Sequence, residues 1–197
     1  ALDLLFELDK FNIELDFIDM GGGLGVNYIG EETIQPFELI QSYEKIFAGR
    51  DERLILEPGR SISANAGILL TKVEYKKDNF IIANAAMNDL LRPALYDAHH
   101  DIWSVIQNNS SSSSVNVVGP ICETGDFLAK NIDIAASEGD LLAVKTVGAY
   151  GSVMSSNYNS RPRAAEVLVD KEKFYLIRKR EDFSTLTFLE EGLDDQI

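Results

Sequence analysis

Residues 15–25 read Leu-Asp-Phe-Ile-Asp-Met-Gly-Gly-Gly-Leu-Gly, a short apolar run that ends in a cluster of glycines. A run of this length that stops at glycine is typical of a buried β-strand followed by a tight loop. Residues 53–60, Arg-Leu-Ile-Leu-Glu-Pro-Gly-Arg, repeat the arrangement with a second strand that ends in a turn-forming loop. Because successive strands of a parallel sheet end at the same edge, we expect the two loops to be neighbours.

Helices are predicted on either side of these strands. Apolar residues at helical spacing predict one helix over residues 1–11 and another over 36–48, where Pro36 suits the first turn and Gly49 the end. This order of helices and strands is typical of βα units around a parallel sheet. An eight-stranded α/β barrel needs about 200 residues or more, so the segment is either a small α/β layer or the later part of a longer protein.

After Arg60 the pattern changes from alternating helices and strands to strands. We predict strands over residues 67–75, 80–85, 115–118, 141–147, 165–169 and 174–178. One helical stretch, residues 87–98, interrupts them, and the serine-rich run 108–114 is typical of a surface loop without chemistry. The second part is therefore expected to be an antiparallel β domain, with a boundary near residues 60–66.

The composition limits the class of partner. The chain has 197 residues, 45% of them hydrophobic, with 18 Lys and Arg against 32 Asp and Glu and a net charge of -14. This acidity argues against nucleic acids and anionic membranes. No apolar run is long enough for a membrane span, and the first residues lack a signal-peptide pattern, so we expect a soluble, cytoplasmic protein. The single cysteine, Cys122, excludes an internal disulfide.

The two loops of the first part offer groups that bind anions. Consecutive glycines at 21–23 could direct backbone N–H groups at a phosphate, although a tight turn explains them equally well. They do not match the dinucleotide fingerprint, because Val26 stands where its last glycine would be. Glu57 could keep a pyridine nitrogen protonated and Arg60 could clamp a carboxylate or phosphate, whereas a turn with a surface ion pair is the simpler alternative.

In the second part, Arg92 and Tyr96 are four residues apart and could lie side by side on one helical face. The pair His99–His100 is interpreted as a solvated helix end, because no second cluster at zinc-ligand spacing accompanies it. The sequence therefore predicts a cation and a phenol here, and no metal site.

Two further loops carry reactive or aromatic side chains. Cys122 could donate a proton, and Glu123 beside it could bind an ammonium group. Tyr150 lies between glycines at a strand end, which suits contact with a flat ligand. Aromatic packing within the β domain is the alternative, and for Tyr158 it is the interpretation we favour.

These segments, in this order, resemble the diaminopimelate decarboxylases, which are fold-type III pyridoxal-phosphate enzymes of the alanine-racemase and ornithine-decarboxylase group. The resemblance runs from about Phe17 to the C-terminus. Its motifs are EPGR at 57–60, MNDLLRPALY at 87–96, GPICETGD at 119–126 and GAYGSVMSSNYNSRPRAAEVLVD at 148–170. It implies that residues 1–62 are the last βα steps of an alanine-racemase-like TIM barrel and residues 63–197 a C-terminal β domain. It also implies a homodimer with shared active sites.

The resemblance also implies roles for individual residues. The residues matching those that bind pyridoxal 5'-phosphate are Gly21, Gly22, Gly23, Glu57, Pro58, Gly59, Arg60 and Tyr150. The residues matching those that bind substrate are Arg60, Arg92, Tyr96, Glu123 and Tyr150. Glu57 is similar in position to the carboxylate that pairs with the pyridine nitrogen, and Glu123 to the group that recognises the distal ammonium. Cys122 is similar to the proton donor, which reaches the partner subunit's site. No metal is implied.

The chain departs from the family pattern in two places. Asn84-Ala85-Ala86-Met87 stands where the family usually has Asp-Ala-Gly-Met. The family's Schiff-base lysine lies in a Tyr-Ala-x-Lys-Ala context that is absent here, and no lysine of the chain matches it. We therefore expect a C-terminal portion, inactive alone, of an enzyme that converts meso-diaminopimelate to L-lysine, the last step of lysine biosynthesis. The alternatives are a decarboxylase for ornithine, arginine or carboxynorspermidine, and a non-catalytic oligomerisation module.

Overall fold

The computed structural model describes residues 2–107 and 111–192. The chain divides into two compact units, Ala1–Ser63 and Ala64–Ile197. The part of the predicted serine-rich loop at 108–110 lies outside the described residues.

The first unit contains both predicted helices and both predicted strands. Its elements are α1 (Leu2–Lys10), β1 (Phe17–Asp19), α2 (Pro36–Ile46), β2 (Arg53–Ile55) and α3 (Arg60–Ser63). Strands β1 and β2 are parallel, with Phe17 opposite Arg53 and Asp19 opposite Ile55. The prediction of a parallel pair is confirmed. The two strands are shorter than the apolar runs of the sequence, because each strand ends where its loop begins.

A small apolar core joins the elements of this unit. Its buried side chains are Leu5, Ile18 and Phe47, with Leu8, Met20, Tyr43 and Leu54 packed against them. Helix α2 begins with Pro36, and the Glu38 carboxylate accepts a hydrogen bond of 2.9 Å from the Gln35 backbone N–H just before it. That bond satisfies one of the donors that a helix start leaves without a partner. The chain leaves the helix before Gly49, which has a φ of 84° that glycine adopts without strain.

The second unit is mostly β-structure. Its strands are β3 (Leu69–Lys77), β4 (Phe80–Ala83), β5 (Ile102–Ser104), β6 (Ser113–Val118), β7 (Phe127–Ile134), β8 (Leu141–Val144), β9 (Glu166–Asp170) and β10 (Lys173–Arg178). Its α-helices are α4 (Arg92–Tyr96) and α5 (Phe183–Leu186), and 3-10 turns cover Ala64–Ala66, Ser152–Met154 and Tyr158–Ser160. Strands β9 and β10 form a separate antiparallel hairpin.

Six strands form one sheet in the order β5-β8-β3-β4-β6-β7. The Ser104 hydroxyl at the end of β5 donates a hydrogen bond of 2.7 Å to the Ala135 carbonyl just after β7, so the two edge strands meet and the sheet is nearly a closed barrel. The core of this sheet contains Val73, Ile81, Ala83, Ala85, Leu90, Ile102, Val115, Val117, Leu128, Ala129, Ile134, Ala136, Leu142, Val144 and Val147. Closure of this kind leaves few unpaired strand edges.

The expected antiparallel sheet needs two corrections. Strands β4 and β6 are parallel, with Ile81 opposite Val117, and strands β5 and β7 were not predicted. Strand β7 lacks a clean alternation of buried side chains because Asn131 has a φ of 52° and the pairing with β6 shifts register beside it. A bulge of this kind hides the two-residue period on which strand prediction depends.

The helix predicted over residues 87–98 is wrong at both ends. In this stretch the structure has only the short helix α4, Arg92–Tyr96. The Asp89 carboxylate accepts a hydrogen bond of 3.0 Å from the Ala86 backbone N–H, and this bond fixes a turn where the helix was predicted to begin. Side chains of this type compete with helical hydrogen bonding. At the other end, Asp97 adopts a φ of 51°, which ends the helix.

Candidate functional site

In the first unit, the glycine loop and the Glu57 loop lie side by side at the carboxyl ends of β1 and β2. The Glu57 backbone N–H donates a hydrogen bond of 2.8 Å to the Gly21 carbonyl. A side chain on Gly22 would collide with the Glu57 carbonyl oxygen, so only glycine permits this approach. The adjacency predicted from the sequence is confirmed.

The same loops have the backbone conformation that an anion-binding loop needs. Gly21 and Gly23 have φ values of 68° and 95°, and a Cβ on either residue would meet open space. The Asp19 carboxylate accepts the Gly21 N–H at 2.7 Å, which leaves Gly22 and Gly23 to supply donors. Successive N–H groups in such a turn form a concave anion site, so the residues present fit a phosphate group.

Glu57 and Arg60 are both exposed, as are Pro58 and Gly59 between them. Arg60 begins α3 directly after the loop. The loop therefore presents a carboxylate and a guanidinium to the surroundings, which is the pair of charges that the sequence analysis assigned to a pyridine nitrogen and to an anion.

In the second unit, one buried carboxylate holds the loop that carries Cys122 and Glu123. Asp126 is 3% exposed, and its two oxygens accept the Met87 N–H at 2.7 Å and the Ile121 N–H at 2.8 Å. Burial raises the pKa of Asp126, while the two backbone donors act in the opposite direction. The sequence analysis missed Asp126, although it lies at the end of the GPICETGD motif.

Cys122 and Glu123 are exposed at the tip of this loop. The Tyr158 hydroxyl donates a hydrogen bond of 3.3 Å to Glu123 Oε2, and this contact raises the pKa of Tyr158. The sequence analysis favoured aromatic packing within the β domain for Tyr158; the residue is 48% exposed, and its hydroxyl contacts Glu123. The structure thus brings together a thiol, a carboxylate and a phenol.

Arg92 and Tyr96 lie at the two ends of α4 in different environments. Arg92 is 8% exposed and its Nη1 is 3.0 Å from His100 Nε2, whereas Tyr96 is 63% exposed. His100 is buried at 1% exposure, which contradicts the interpretation of the histidine pair as a solvated helix end. Only His99 is consistent with a solvated side chain: its ring is partly exposed, and its Nε2 lies 3.1 Å from Asp101 Oδ1.

Tyr150 lies in a loop that is packed against the start of the second unit. A Cβ on Gly67 would be 2.5 Å from the Gly148 Cα, and a side chain on Gly151 would meet the Val147 carbonyl. Tyr150 has a φ of 62°, an uncommon conformation for a bulky residue that occurs at functional sites. The residue is 42% exposed, so it is available for contact with a flat ligand.

Two arginines of the Arg-Pro-Arg stretch anchor the remaining loops of the second unit. Arg161 donates to Asn88 Oδ1 at 2.9 Å and to the Asn84 carbonyl at 2.6 Å. Arg163 Nη1 donates to Glu181 Oε1 at 3.0 Å. The sequence analysis assigned them no role, because their partners are up to 77 residues away along the chain.

A cavity of about 620 Å³ in the second unit is separate from these side chains. Its lining includes Gly148, Gly151 and residues 164–169 but not Cys122, Glu123 or Arg92.

Across residues 2–107 and 111–192, no group of three or more His, Cys, Asp or Glu side chains could hold a metal ion. In the same part of the chain, no helix is both long and apolar enough to cross a membrane.

The family model described as pyridoxal-dependent decarboxylase, C-terminal sheet domain, matches residues 9–148. The chain is 50% identical to the diaminopimelate decarboxylase of Vibrio cholerae over 199 aligned positions, which cover 98% of the chain and 48% of that protein. It is 53% identical to the enzyme of the same name from Neisseria meningitidis serogroup A, over 91% of the chain and 45% of that protein.

Solved structures of similar proteins agree with the fold. The diaminopimelate decarboxylase of Helicobacter pylori complexed with L-lysine superposes with a TM-score of 0.89 at 42% identity, over 99% of the chain and 49% of that protein. The enzyme from M. jannaschii in complex with L-lysine gives a TM-score of 0.91 at 34% identity, over 100% of the chain and 48% of that protein. The chain spans about half the length of the relatives that it matches.

Proposed function

The chain belongs to the pyridoxal-dependent decarboxylase family, and from this premise we propose that the full-length protein decarboxylates meso-diaminopimelate to L-lysine. The observation that carries the proposal is the 50% identity to a diaminopimelate decarboxylase over 98% of the chain. In this proposal, residues 1–62 are the last βα steps of an alanine-racemase-like barrel, and residues 63–197 form the C-terminal β domain. The protein is a homodimer in which each subunit contributes to its partner's site.

The first unit would bind the cofactor. Pyridoxal 5'-phosphate, when bound, supplies an electron sink for the electron pair that the departing carboxylate leaves behind. The N–H groups of Gly22 and Gly23 would hold its phosphate, together with the loop that ends at Arg60. Glu57 would keep the proton on the pyridine nitrogen, because a carboxylate next to that nitrogen favours its charged form.

The second unit would recognise the substrate and return a proton to it. The buried guanidinium of Arg92 and the exposed phenol of Tyr96 would hold the distal carboxylate, and Glu123 would accept the distal ammonium. The Cys122 thiol would donate its proton at the carbon that has lost carbon dioxide. Tyr150 would contact both cofactor and substrate.

The opposite charges of these residues favour a substrate with an amino-acid group at each end. A diamine precursor such as ornithine has a distal ammonium but no distal carboxylate, so it could not make the contact that this proposal gives to Arg92 and Tyr96. A site built to hydrogen-bond a substrate group strongly disfavours an analogue that lacks that group. The side chains of the second unit therefore support diaminopimelate over ornithine or arginine.

The test is a substrate panel with the full-length protein loaded with pyridoxal phosphate. We expect L-lysine and carbon dioxide from meso-diaminopimelate, and turnover of ornithine and arginine at least about 10⁴-fold lower in kcat/KM. Preferential turnover of ornithine or arginine would overturn the substrate assignment, and no turnover of any of them would overturn the enzyme assignment.

Two variants separate the roles of the loop residues. Glu123→Gln should raise KM for meso-diaminopimelate, while Cys122→Ala should lower kcat with the cofactor absorbance intact. Glu172→Gln, in the exposed turn between β9 and β10, is the matched control for loss of one negative charge. Equal behaviour of Glu123→Gln and Glu172→Gln would contradict the assignment of Glu123.

A further inference from the structure

His100 is a buried titratable side chain to which neither the resemblance nor the proposed function gives a role. It follows α4 and is 1% exposed, and it contacts the guanidinium of Arg92. Buried polar side chains in native proteins are hydrogen-bonded, and their partners indicate why they are there.

The partners of His100 define which ring nitrogen carries the proton. Arginine has five N–H donors and no acceptor, so at 3.0 Å Arg92 Nη1 must donate and His100 Nε2 must accept. His100 Nδ1 lies 2.9 Å from the Lys145 carbonyl, which can only accept, so Nδ1 carries the hydrogen. The result is a neutral imidazole fixed between a backbone carbonyl and a guanidinium.

The charges around the ring favour this neutral form. Burial lowers the pKa of His100, and the charge of Arg92 lowers it further, while the hydrogen bond to the Lys145 carbonyl and the charge of Asp101 act in the opposite direction. The ammonium of Lys145, whose carbonyl binds the ring, lies 3.6 Å from the centre of the Trp103 ring. Protonation of His100 would remove the acceptor and set two cations 3.0 Å apart.

We propose that His100 is a positioning residue for Arg92: it accepts one N–H of the guanidinium and so fixes the orientation in which the guanidinium meets the distal carboxylate of the substrate. This inference rests on the proposed function, because it takes Arg92 as the group that binds that carboxylate. A planar guanidinium binds a carboxylate through two parallel hydrogen bonds, so its orientation decides the strength of the contact.

Two substitutions of His100 separate the acceptor from the donor. In His100→Gln the side-chain oxygen can reach the position of Nε2 and still accept from Arg92. In His100→Asn the side-chain nitrogen can reach the position of Nδ1 and donate to the Lys145 carbonyl, but the acceptor for Arg92 is lost. In the full-length protein with pyridoxal phosphate, we expect His100→Asn to raise KM for meso-diaminopimelate about tenfold or more with little change in kcat, and His100→Gln to restore most of the loss.

The pH profile is a second readout. Because burial lowers the pKa of His100 from the ordinary value of 6.5, His100 gains a proton only at a pH below that value. The KM of the unmodified protein should rise there, and this rise should be absent in His100→Gln. Equal KM values in both variants and in the unmodified protein would overturn the positioning role. A KM rise of the same size in both variants would also overturn it, because a purely structural role predicts no difference between them.

NMR of the full-length protein labelled with ¹⁵N-histidine tests the inference without activity. We expect a neutral ring with the hydrogen on Nδ1, assigned by its loss in His100→Gln. A charged ring at pH 7.5, or the hydrogen on Nε2, would overturn the inference. If instead the protein fails to convert meso-diaminopimelate while the Nδ1 form is observed, the proposed function fails and the hydrogen-bond arrangement stands.

Discussion

Replacement of Asp126 by alanine should loosen the loop that carries Cys122 and Glu123. Asp126 is 3% exposed and accepts backbone hydrogen bonds from Met87 and Ile121 at 2.7 and 2.8 Å. Alanine removes both acceptors and leaves two backbone N–H groups without their partner. The hydrogen bond that joins this loop to the segment at Met87 is then lost.

The size of the effect follows from these two bonds. A hydrogen bond to a charged group contributes about 1.5–3 kcal/mol, so two of them give an upper range of about 3–6 kcal/mol. Burial raises the pKa of Asp126, which means that the charged form is partly disfavoured in the folded state. We therefore expect a loss near the lower end, about 3 kcal/mol in the free energy of unfolding. This is a large share of the stability of an ordinary domain.

Hydrogen exchange and denaturant unfolding of the full-length protein measure this loss. Asp126→Asn keeps one acceptor oxygen and should lie between alanine and the unmodified protein. Asp133→Asn removes a charge at an exposed position of β7 and is the matched control. The reasoning is refuted if exchange at the backbone N–H groups of Ile121 and Met87 is the same in Asp126→Ala as in the control.

Three further substitutions test other contacts. Gly22→Ala should lower the affinity of the full-length protein for pyridoxal phosphate at least about tenfold, because its methyl group would push away the Glu57 carbonyl; unchanged affinity by absorbance titration would contradict this. Tyr158→Phe should raise KM for meso-diaminopimelate about threefold through loss of one hydrogen bond to Glu123, and equal KM values would exclude that role. Glu181→Gln should make the free energy of unfolding fall less steeply as the pH drops below 4.5. The hydrogen bond from the Arg163 backbone lowers the pKa of Glu181 in the folded protein, so the unfolded chain binds the proton first and unfolding is favoured at low pH. Identical acid unfolding curves for the variant and the unmodified protein would contradict this prediction.

The sequence predicted those parts of the fold that depend on neighbouring residues. The loops after β1 and β2 were placed correctly because an apolar run, a glycine cluster and a Glu-Pro-Gly turn are all local signals. Strand β7 was missed because Asn131 interrupts its alternation, and the parallel pairing of β4 with β6 depends on a crossover that no local pattern encodes.

The candidate site divides in the same way. Exposed groups such as Cys122, Glu123 and Tyr150 could be selected from residue chemistry and from the family motifs. The buried side chain at the base of the Cys122 loop could not, because Asp126 binds a residue 39 positions away. Arg161, which binds a residue 73 positions away, was missed for the same reason. The buried state of His100 was missed for the same reason, since its partner carbonyl belongs to Lys145.

This division has a physical cause. Under the proposed function, Cys122 must extend from its own subunit toward the partner's site, so it cannot be buried in the unit that carries it. A short exposed loop cannot fix its own side chains, and the order has to come from buried groups at its base. Asp126 is the buried group at the base of the Cys122 loop, and His100 is the buried partner of Arg92, which is itself 8% exposed. Substitution of an exposed member should therefore change catalysis or binding and leave stability intact, whereas substitution of a buried anchor should change both.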